Sequence, residues 1–483
     1  MTVILGGGIS GLSAAYYALN DVRLSSVVLL EASNRLGGWI CSRRSPSGAI
    51  FEQGPRTVRI ADSGKNTLNL VEDLQLSDKL IHIGSHHHAV ANRLIYTEDA
   101  LHRVPTSIAT LFKTPSLLDR PLINRIWTDL RAPRVPKEDE SIYSFVQRRL
   151  GQDIADNLIS PMICGICAGD AREISVNFLF KSLFEAEQKH GSIVKGLLIN
   201  WLKKVFSKPE GEKDNVSKRK DNANDESTAR SLTLAERAQK EHWVLWGLQG
   251  GLEQLPQTLA DNLSKRGVNI QTEKRCEKLM FKPDRVELLV NGEPQECSRV
   301  ISSLRAKDLA ELLQEQHPTL SAELKAIPTV TVGVVNLEFQ ENVLPLQAFG
   351  FLVPPKENLP LLGVIFDSCV FPGSSTVLTV MMGGAWFEKY FGKNPSEEQL
   401  LMMAIYHTKN ILQIEEEPVA HNVAILKDCI PQHIVGHNAR VKRIHNYIST
   451  HRIPLALCGS SYQGVGLNDV ILSAKQAVRD VVK

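Results

Sequence analysis

The order of apolar and polar positions divides the chain into unequal stretches. Thr2–Leu5 is a short apolar run, residues 6–11 are rich in glycine, an apolar helix continues through Leu19, and Val27–Leu30 is a second apolar run. Together they predict the start of a βαβ unit. From about residue 106 to 206 the period turns helical, rich in Leu and Ile and punctuated by prolines. The pattern then breaks. Residues 208–225 (KPEGEKDNVSKRKDNAND) are almost wholly charged or polar and cannot bury enough apolar surface to order themselves. Residues 207–238 are therefore predicted to be a surface insertion, since long loops cost little closure entropy. Order resumes at Trp243–Leu248, and Gly250 and Gly251 turn the chain into a helix over 252–265. Strands are predicted over 330–339, 361–368 and 377–382, and a last strand over 455–458 leads into a helix over 470–482.

Composition narrows the classes. A chain of 483 residues, 43% hydrophobic and 22% charged, has the make-up of a globular protein with two or three cores. Lys+Arg 55 against Asp+Glu 53 leaves a formal charge of +2, so nothing asks for a nucleic-acid partner. The eight cysteines, Cys41, Cys164, Cys167, Cys276, Cys297, Cys369, Cys429 and Cys458, have no disulfide-framework spacing and predict reduced thiols. Thr2 already begins a strand with no basic leader before it, and no apolar run approaches the roughly 20 residues of a spanning helix. The expectation is a protein that is soluble or lies on a membrane without crossing it.

The first chemistry lies at the N-terminus. Gly6-Gly7-Gly8-Ile9-Ser10-Gly11 is a GxGxxG fingerprint directly after a strand and opening a helix. Gly6 permits the tight turn, Gly8 lets the backbone approach a pyrophosphate, and Gly11 lets the helix pack on the strand. The helix start offers free N–H groups to the phosphates. Glu31 ends the second strand, where a carboxylate binds ribose hydroxyls and repels the extra phosphate of NADP. Arg35, Gly37, Gly38 and Trp39 follow, a second glycine turn with a cation placed to meet a phosphate; Gly54, Pro55 and Arg56 make a third turn with another cation.

The Arg-x-Gly-Gly after the ribose acid, the run 250–256 (GGLEQLP) and the run 459–469 (GSSYQGVGLND) resemble the flavin-containing amine oxidase superfamily. LGGGISGL at 5–12, RLGGWI at 35–40, AIFEQGPR at 49–56, Asn92-Arg93 and CIPQ at 429–432 narrow the resemblance to the animal-type protoporphyrinogen oxidases, over nearly the whole chain outside the charged insertion. The resemblance implies an α/β and α+β architecture. A Rossmann-type FAD-binding domain would use 1–85, 243–305 and 453–483, a β-rich substrate domain 86–105 and 306–452, and a helical membrane-binding domain 106–206. It implies non-covalent FAD held by Gly6 through Gly11 (Gly7, Ile9 and Ser10 included), Glu31, Arg35, Trp39, Gly54, Pro55, Arg56, Thr57, Cys276 through its backbone, Ser460, Val465, Gly466 and Leu467. It puts the substrate against Arg93, which would take a propionate, and against Gly165, Phe349, Leu352, Met381 and Ile430. The implied reaction is the six-electron oxidation of protoporphyrinogen IX by molecular oxygen in haem synthesis, releasing hydrogen peroxide. The implied place is the mitochondrial inner membrane, peripheral and facing the intermembrane space, with a homodimer allowed.

The residues fit such a substrate on their own terms. A large apolar macrocycle with two carboxylates wants apolar walls and one or two cations. An electron-rich macrocycle releases a hydride from a meso carbon as a pyrrole N–H proton is lost, so no strong protein base is required and no catalytic side chain is named. A helix start at 468–470 would stabilise charge at the flavin's pyrimidine end. Other features read as ordinary structure. Cys164 and Cys167 form a CxxC within a helical stretch, with no second ligand pair for zinc, and read as packing cysteines. His86, His87 and His88 read as a solvated loop rather than a metal site, and Met381-Met382 as core. The stretches 106–127 and 193–206 mix Leu, Ile and Trp with basic residues, a pattern shared by interfacial and core helices. Two rivals stay open: another flavin oxidase or desaturase acting on amines or isoprenoids, and a non-catalytic binding module of the Rab escort type.

Overall fold

Thr2–Leu5 is buried along its whole length because it is the middle strand of a five-stranded parallel sheet. Asn269–Gln271, Val27–Leu30, Thr2–Leu5, Arg299–Ser302 and Leu455–Leu457 follow one another across that sheet, with Thr2 opposite both Val27 and Arg299. A parallel sheet is covered on both faces, which is why these strands read as unbroken apolar runs. Helices Ile9–Leu19, Gln254–Lys265 and Leu467–Val481 close one face. The antiparallel meander Cys276–Phe281, Val286–Val290, Glu293–Cys297 and the helices Ala306–Leu313, Pro318–Lys325 and His437–Thr450 close the other. The computed structural model describes all residues but 25, 61–62, 106–113, 207–231, 372 and 483, and not the side chains of 203–206.

A second sheet has seven strands in the order Ala420–Pro431, Thr329–Phe339, Thr376–Gly384, Leu361–Phe366, Gly350–Leu352, Leu94–Thr97, Ala100–Arg103. Helix Glu397–Leu412 packs on one face around Leu337, Phe339, Val380, Met382 and Leu400. Strand alternation then turns Met381 to the opposite face, half-exposed, while Met382 is wholly buried. A small sheet sets Trp243–Leu248 between Val58–Arg59 and Leu80–Gly84. Between Ala100–Arg103 and Trp243–Leu248 the chain forms a helical unit. Its helices Leu122–Arg131, Ile142–Leu150, Ser160–Cys167, Lys181–His190 and Ile193–Phe206 surround Phe145, Ile163 and Phe184. Among the described residues no helix is long and apolar enough to cross a membrane.

One expectation needs correcting. The insertion was to run through 238, and its residues 207–231 lie outside the described part, but Leu234–Lys240 is a helix. Thr233 and Glu236 form a capping box at its start, and Leu234 and Ala238 join the core beside helix Gly64–Asp73. Two buried residues and a satisfied N-terminus outweigh the polar composition there. The predicted strand over 361–368 is also shorter, ending at Phe366 before the turn Asp367–Val370.

Candidate active site

The fingerprint and the second glycine turn face each other. Gly37 N–H donates to Gly7 O at 2.9 Å, and Gly8 bridges Gly37 in parallel. A Cβ at Gly38 would lie 3.1 Å from Gly8 Cα, and one at Gly11 would meet Gly6 O at 1.9 Å. Only glycine leaves this groove open and lets the helix sit on its turn. Glu31 Oε2 accepts from Gly7 N–H at 2.6 Å, and Oε1 accepts from Ser33 N–H at 2.8 Å and Ser33 Oγ at 2.7 Å. Helices Ile9–Leu19 and Leu467–Val481 both begin at a glycine N-cap, Gly8 and Gly466, with no side-chain cap. Apart from Gly466 N–H, which the Asp469 carboxylate takes, the first N–H groups of these helices are left for a ligand. A Cβ at Gly459 would come within 3.6 Å of Ser10 Oγ, so the C-terminal loop through Ser460 adjoins the fingerprint helix. Segment 271–274 pairs with 31–33, through Glu31 N–H to Gln271 O and Lys274 N–H to Glu31 O, which carries the chain past the Glu31 carboxylate to Cys276. An open glycine groove, a half-buried carboxylate and two uncapped helix starts fit a dinucleotide such as FAD.

Two cations assigned to the cofactor are engaged by groups of the protein itself. Arg35 donates to the carbonyls of Leu36 (3.1 Å), Ile40 (3.3 Å) and Gly38 and reaches Glu253 at 3.4 Å. It braces its own turn because four acceptors surround it. Arg56 is buried and paired through one nitrogen to both oxygens of Asp367, at 2.9 and 3.1 Å. Asp367 also accepts from Thr379 Oγ1 at 2.6 Å, and Thr379 Oγ1 accepts from Asn336 Nδ2 at 2.7 Å. The Arg56 guanidinium thus ties the third turn to the seven-stranded sheet, its charge met by Asp367. Trp39 stands part-exposed on the second turn.

Beside Arg56, Glu52 accepts from Leu252 N–H and Ser42 Oγ, each at 2.7 Å, and burial pushes its carboxyl up to about 7. A raised folded pKa favours the protonated form in the folded state. Its contribution is full below the ordinary 4.5 and is lost as pH rises through about 7, up to about 3 kcal/mol. Glu52→Gln, which keeps both hydrogen bonds, is expected to flatten the decline of the urea midpoint across that window; an unchanged slope would assign the decline elsewhere.

The apolar candidates converge. A Cβ on Gly165 would meet Leu352 Cδ2 at 2.6 Å. Met381 and Ile430 pack as partly buried residues around Cys164, Val332 and Leu362, and Ile430 shares a second cluster with Val465 of the C-terminal loop. These partly exposed side chains come together where the seven-stranded sheet, helix Ser160–Cys167 and that loop meet. Phe349 sits apart, against Leu245, Ile83 and Val370. Its N–H donates to Asn92 O at 3.1 Å, so it neighbours Arg93 instead. Arg93 is open to solvent, yet partial desolvation, and after it the charge of Arg59, pull its pKa below the ordinary value. Arg59 lies across from Leu245 in the same apolar group as Phe349. Among the described residues neither guanidinium has an ion-pair partner. The sequence reading missed Arg59. Alternation on the strand Val58–Arg59, with Val58 in the core, was the signal available. Cys164 and Cys167 are packed thiols pushed far up by burial, with Cys167 at about 12. His87 Nδ1 accepts from Ala89 N–H as a helix cap.

A Rossmann-type sheet with a glycine groove, joined to a β-rich unit whose partly exposed apolar side chains gather beside the C-terminal loop, is the architecture of a flavoenzyme. The chain belongs to the flavin-containing amine oxidoreductase family, whose profile matches residues 9–482. Within it, the chain falls among the protoporphyrinogen oxidases. It is 38% identical to the protoporphyrinogen oxidase of Homo sapiens, over 99% of this chain and 98% of that one. It is 32% identical to that of Schizosaccharomyces pombe, over 99% and 97%. A solved structure from Exiguobacterium, provisionally named for the same activity, superposes with a TM-score of 0.78 at 23% identity, covering 100% of this chain and 98% of that one, a likeness of fold. The protein is an FAD-dependent oxidase holding its flavin non-covalently.

Proposed function

We propose that this oxidase converts protoporphyrinogen IX to protoporphyrin IX. Bound FAD supplies a two-electron acceptor, so three rounds remove six electrons and six protons, and three molecules of dioxygen leave as hydrogen peroxide. The observation that carries the reading is the gathering of partly exposed apolar residues, Gly165, Leu352, Met381 and Ile430, together with two arginines, Arg59 and Arg93, that have no acidic partner among the described residues. Phe349 stands beside the arginines, at the polar end of the substrate. The chain's own part is to bind and orient: the walls exclude water from the macrocycle and the guanidiniums hold the propionates, fixing which meso carbon faces the flavin. The matched relatives' names support the same substrate.

Porphyrin fluorescence on adding protoporphyrinogen to pure enzyme tests the reaction. Arg93→Ala is expected to stay yellow and folded and to lose about tenfold or more in kcat/KM, the roughly 1.5–3 kcal/mol of a hydrogen bond to a charged group. Arg93→Lys recovers part, keeping the charge without the planar fork. With the propionates esterified, mutant and wild type converge. An equal loss on acid and ester would give Arg93 a role in the fold alone.

The reading extends to a lipid surface, which by the family resemblance is the mitochondrial inner membrane. Trp127 is 61% exposed on Leu122–Arg131, and Leu197, Leu198 and Trp201 are 47%, 54% and 59% exposed on the adjoining Ile193–Phe206. Apolar side chains left together in water mark a contact site. Replacing Leu197, Leu198 and Trp201 with Ser is expected to raise the soluble fraction and lower co-sedimentation with liposomes while FAD content holds. Wild-type protein that never pellets with lipid would defeat it.

A further inference from the structure

Away from the apolar walls, two buried histidines have no part in the chemistry described so far. His433 follows the strand Ala420–Pro431 and His437 opens the helix His437–Thr450; they are 4% and 2% exposed. Their rings stack with centroids 3.9 Å apart and planes 11° from parallel. His433 Nε2 lies 3.0 Å from Ser460 O, and His437 Nε2 lies 3.1 Å from Tyr462 O. A carbonyl only accepts, so each Nε2 carries the hydrogen. Burial, and then the neighbouring ring, push His433 down to about 3, and burial lowers His437 as well. Both rings are therefore neutral, which is what allows them to stack in a buried site.

The pair is braced from behind. His433 O accepts from Ser175 N–H at 2.9 Å, Gly436 N–H donates to Asp139 Oδ2 at 2.8 Å, and Phe178 meets the His433 ring edge-on at 5.0 Å. Gln432 Nε2 donates to Cys167 O at 2.9 Å, beside the substrate wall. The chain in front, by contrast, has no regular structure between Leu455–Leu457 and Leu467–Val481. Its Cys458 and Tyr462 side chains sit in the core, and its backbone is held by Cys458 N–H to Ser302 O, Gly459 N–H to Ser473 Oγ, Ala306 N–H to Ser461 Oγ, and the two imidazoles. The imidazoles hold alternate carbonyls, at 460 and 462, just ahead of Val465 and the uncapped helix start at Gly466.

We propose that His433 and His437 are positioning residues, which act through the carbonyls of Ser460 and Tyr462 to set how closely loop 459–466 and the helix start behind it approach the flavin. This rests on the reading that the loop is a flavin contact. N–H groups at a helix start stabilise negative charge only at short range, so a small retreat of the loop weakens both binding and the stabilisation of added electrons.

The test uses the holoenzyme. His433→Phe keeps a flat ring for the stack but removes the donor, and His433→Gln restores a donor. In His433→Phe, FAD is expected to dissociate about tenfold more readily and the flavin midpoint potential to fall by about 30 mV, a tenfold change for a two-electron couple. His433→Gln is expected to recover at least half of the potential shift, while thermal unfolding of the apoprotein stays within a few degrees in both variants. Gly466→Val separates this inference from the reading beneath it, for undiminished FAD binding there would remove the loop from the flavin site. FAD loss in Gly466→Val with a wild-type affinity and potential in His433→Phe would overturn the positioning role alone. A fall in apoprotein stability with no change in potential would overturn it too, leaving the pair a structural brace.

Discussion

Gly8→Val is expected to yield a folded, colourless protein. Gly8 has φ −70° and ψ 174°, ordinary extended backbone that valine adopts without strain. A Cβ there meets nothing nearer than Gly38 Cα at 3.7 Å, so the apoprotein accommodates the change. What the two added methyls occupy is the groove between the glycine turns, at the start of a helix whose N–H groups have no side-chain cap. A pyrophosphate cannot approach that backbone through a valine side chain. FAD recovered from the purified variant should fall below a tenth of the wild-type ratio, with the apoprotein unfolding at the wild-type apoprotein's temperature. Glu31→Ala removes the ribose contacts and also the acceptor for Gly7 N–H and Ser33, and should weaken FAD by at least roughly 1.5–3 kcal/mol. Stoichiometric flavin in Gly8→Val would falsify the placement of the phosphate groove.

That groove was legible because its parts are close in sequence and chemically unambiguous: three glycines at fixed spacing, then a carboxylate at the end of the next strand. The roles of Arg35 and Arg56 were less so. A cation next to a glycine turn reads the same whether it projects or folds inward, and the partner that turns Arg56 inward, Asp367, is 311 residues away. The apolar walls came together from segments as distant as Gly165 and Ile430, and only resemblance to a family marked them out. Arg59 went unseen beside Arg56 because a two-residue strand gives alternation almost no length in which to show. Helix Leu234–Lys240 did carry a local signal, Thr233 followed by Glu236, masked by the polar run before it. His433 and His437 lie four apart, a metal-ligand spacing, yet their role depends on carbonyls some 25 residues further on.

The largest loss of stability is expected at Arg149, inside the helical unit. Arg149 and Asp129 are both wholly buried and meet at 2.6 Å. The guanidinium also donates to the carbonyls of Ala132 (3.1 Å), Pro133 (3.2 Å) and Gly191 (3.0 Å). Asp129 in turn accepts from Ser192 Oγ (2.5 Å), Ile193 N–H (3.2 Å) and Val194 N–H (2.9 Å), at the start of Ile193–Phe206. With buried Glu187 3.6 Å from the same guanidinium, this ion pair fixes the two helices that expose Trp127 and Trp201. Arg149→Met strands a buried carboxylate, which costs about 3–5 kcal/mol in such settings. The donors Asp129 keeps should hold the loss near the lower figure. Asp129→Leu with Arg149→Met removes this pair, leaves buried Glu187 to Arg148 at 3.0 Å, and should win much of it back, short of about 1 kcal/mol for the missing cap on the second helix. Because the pair is sealed from water, the loss measured by urea unfolding should be the same at low and high salt. A single variant costing under 1 kcal/mol, or a double variant worse than either single one, would mean that the packing around Phe145 and Phe184 sets the helices and that the ion pair only fits itself to them.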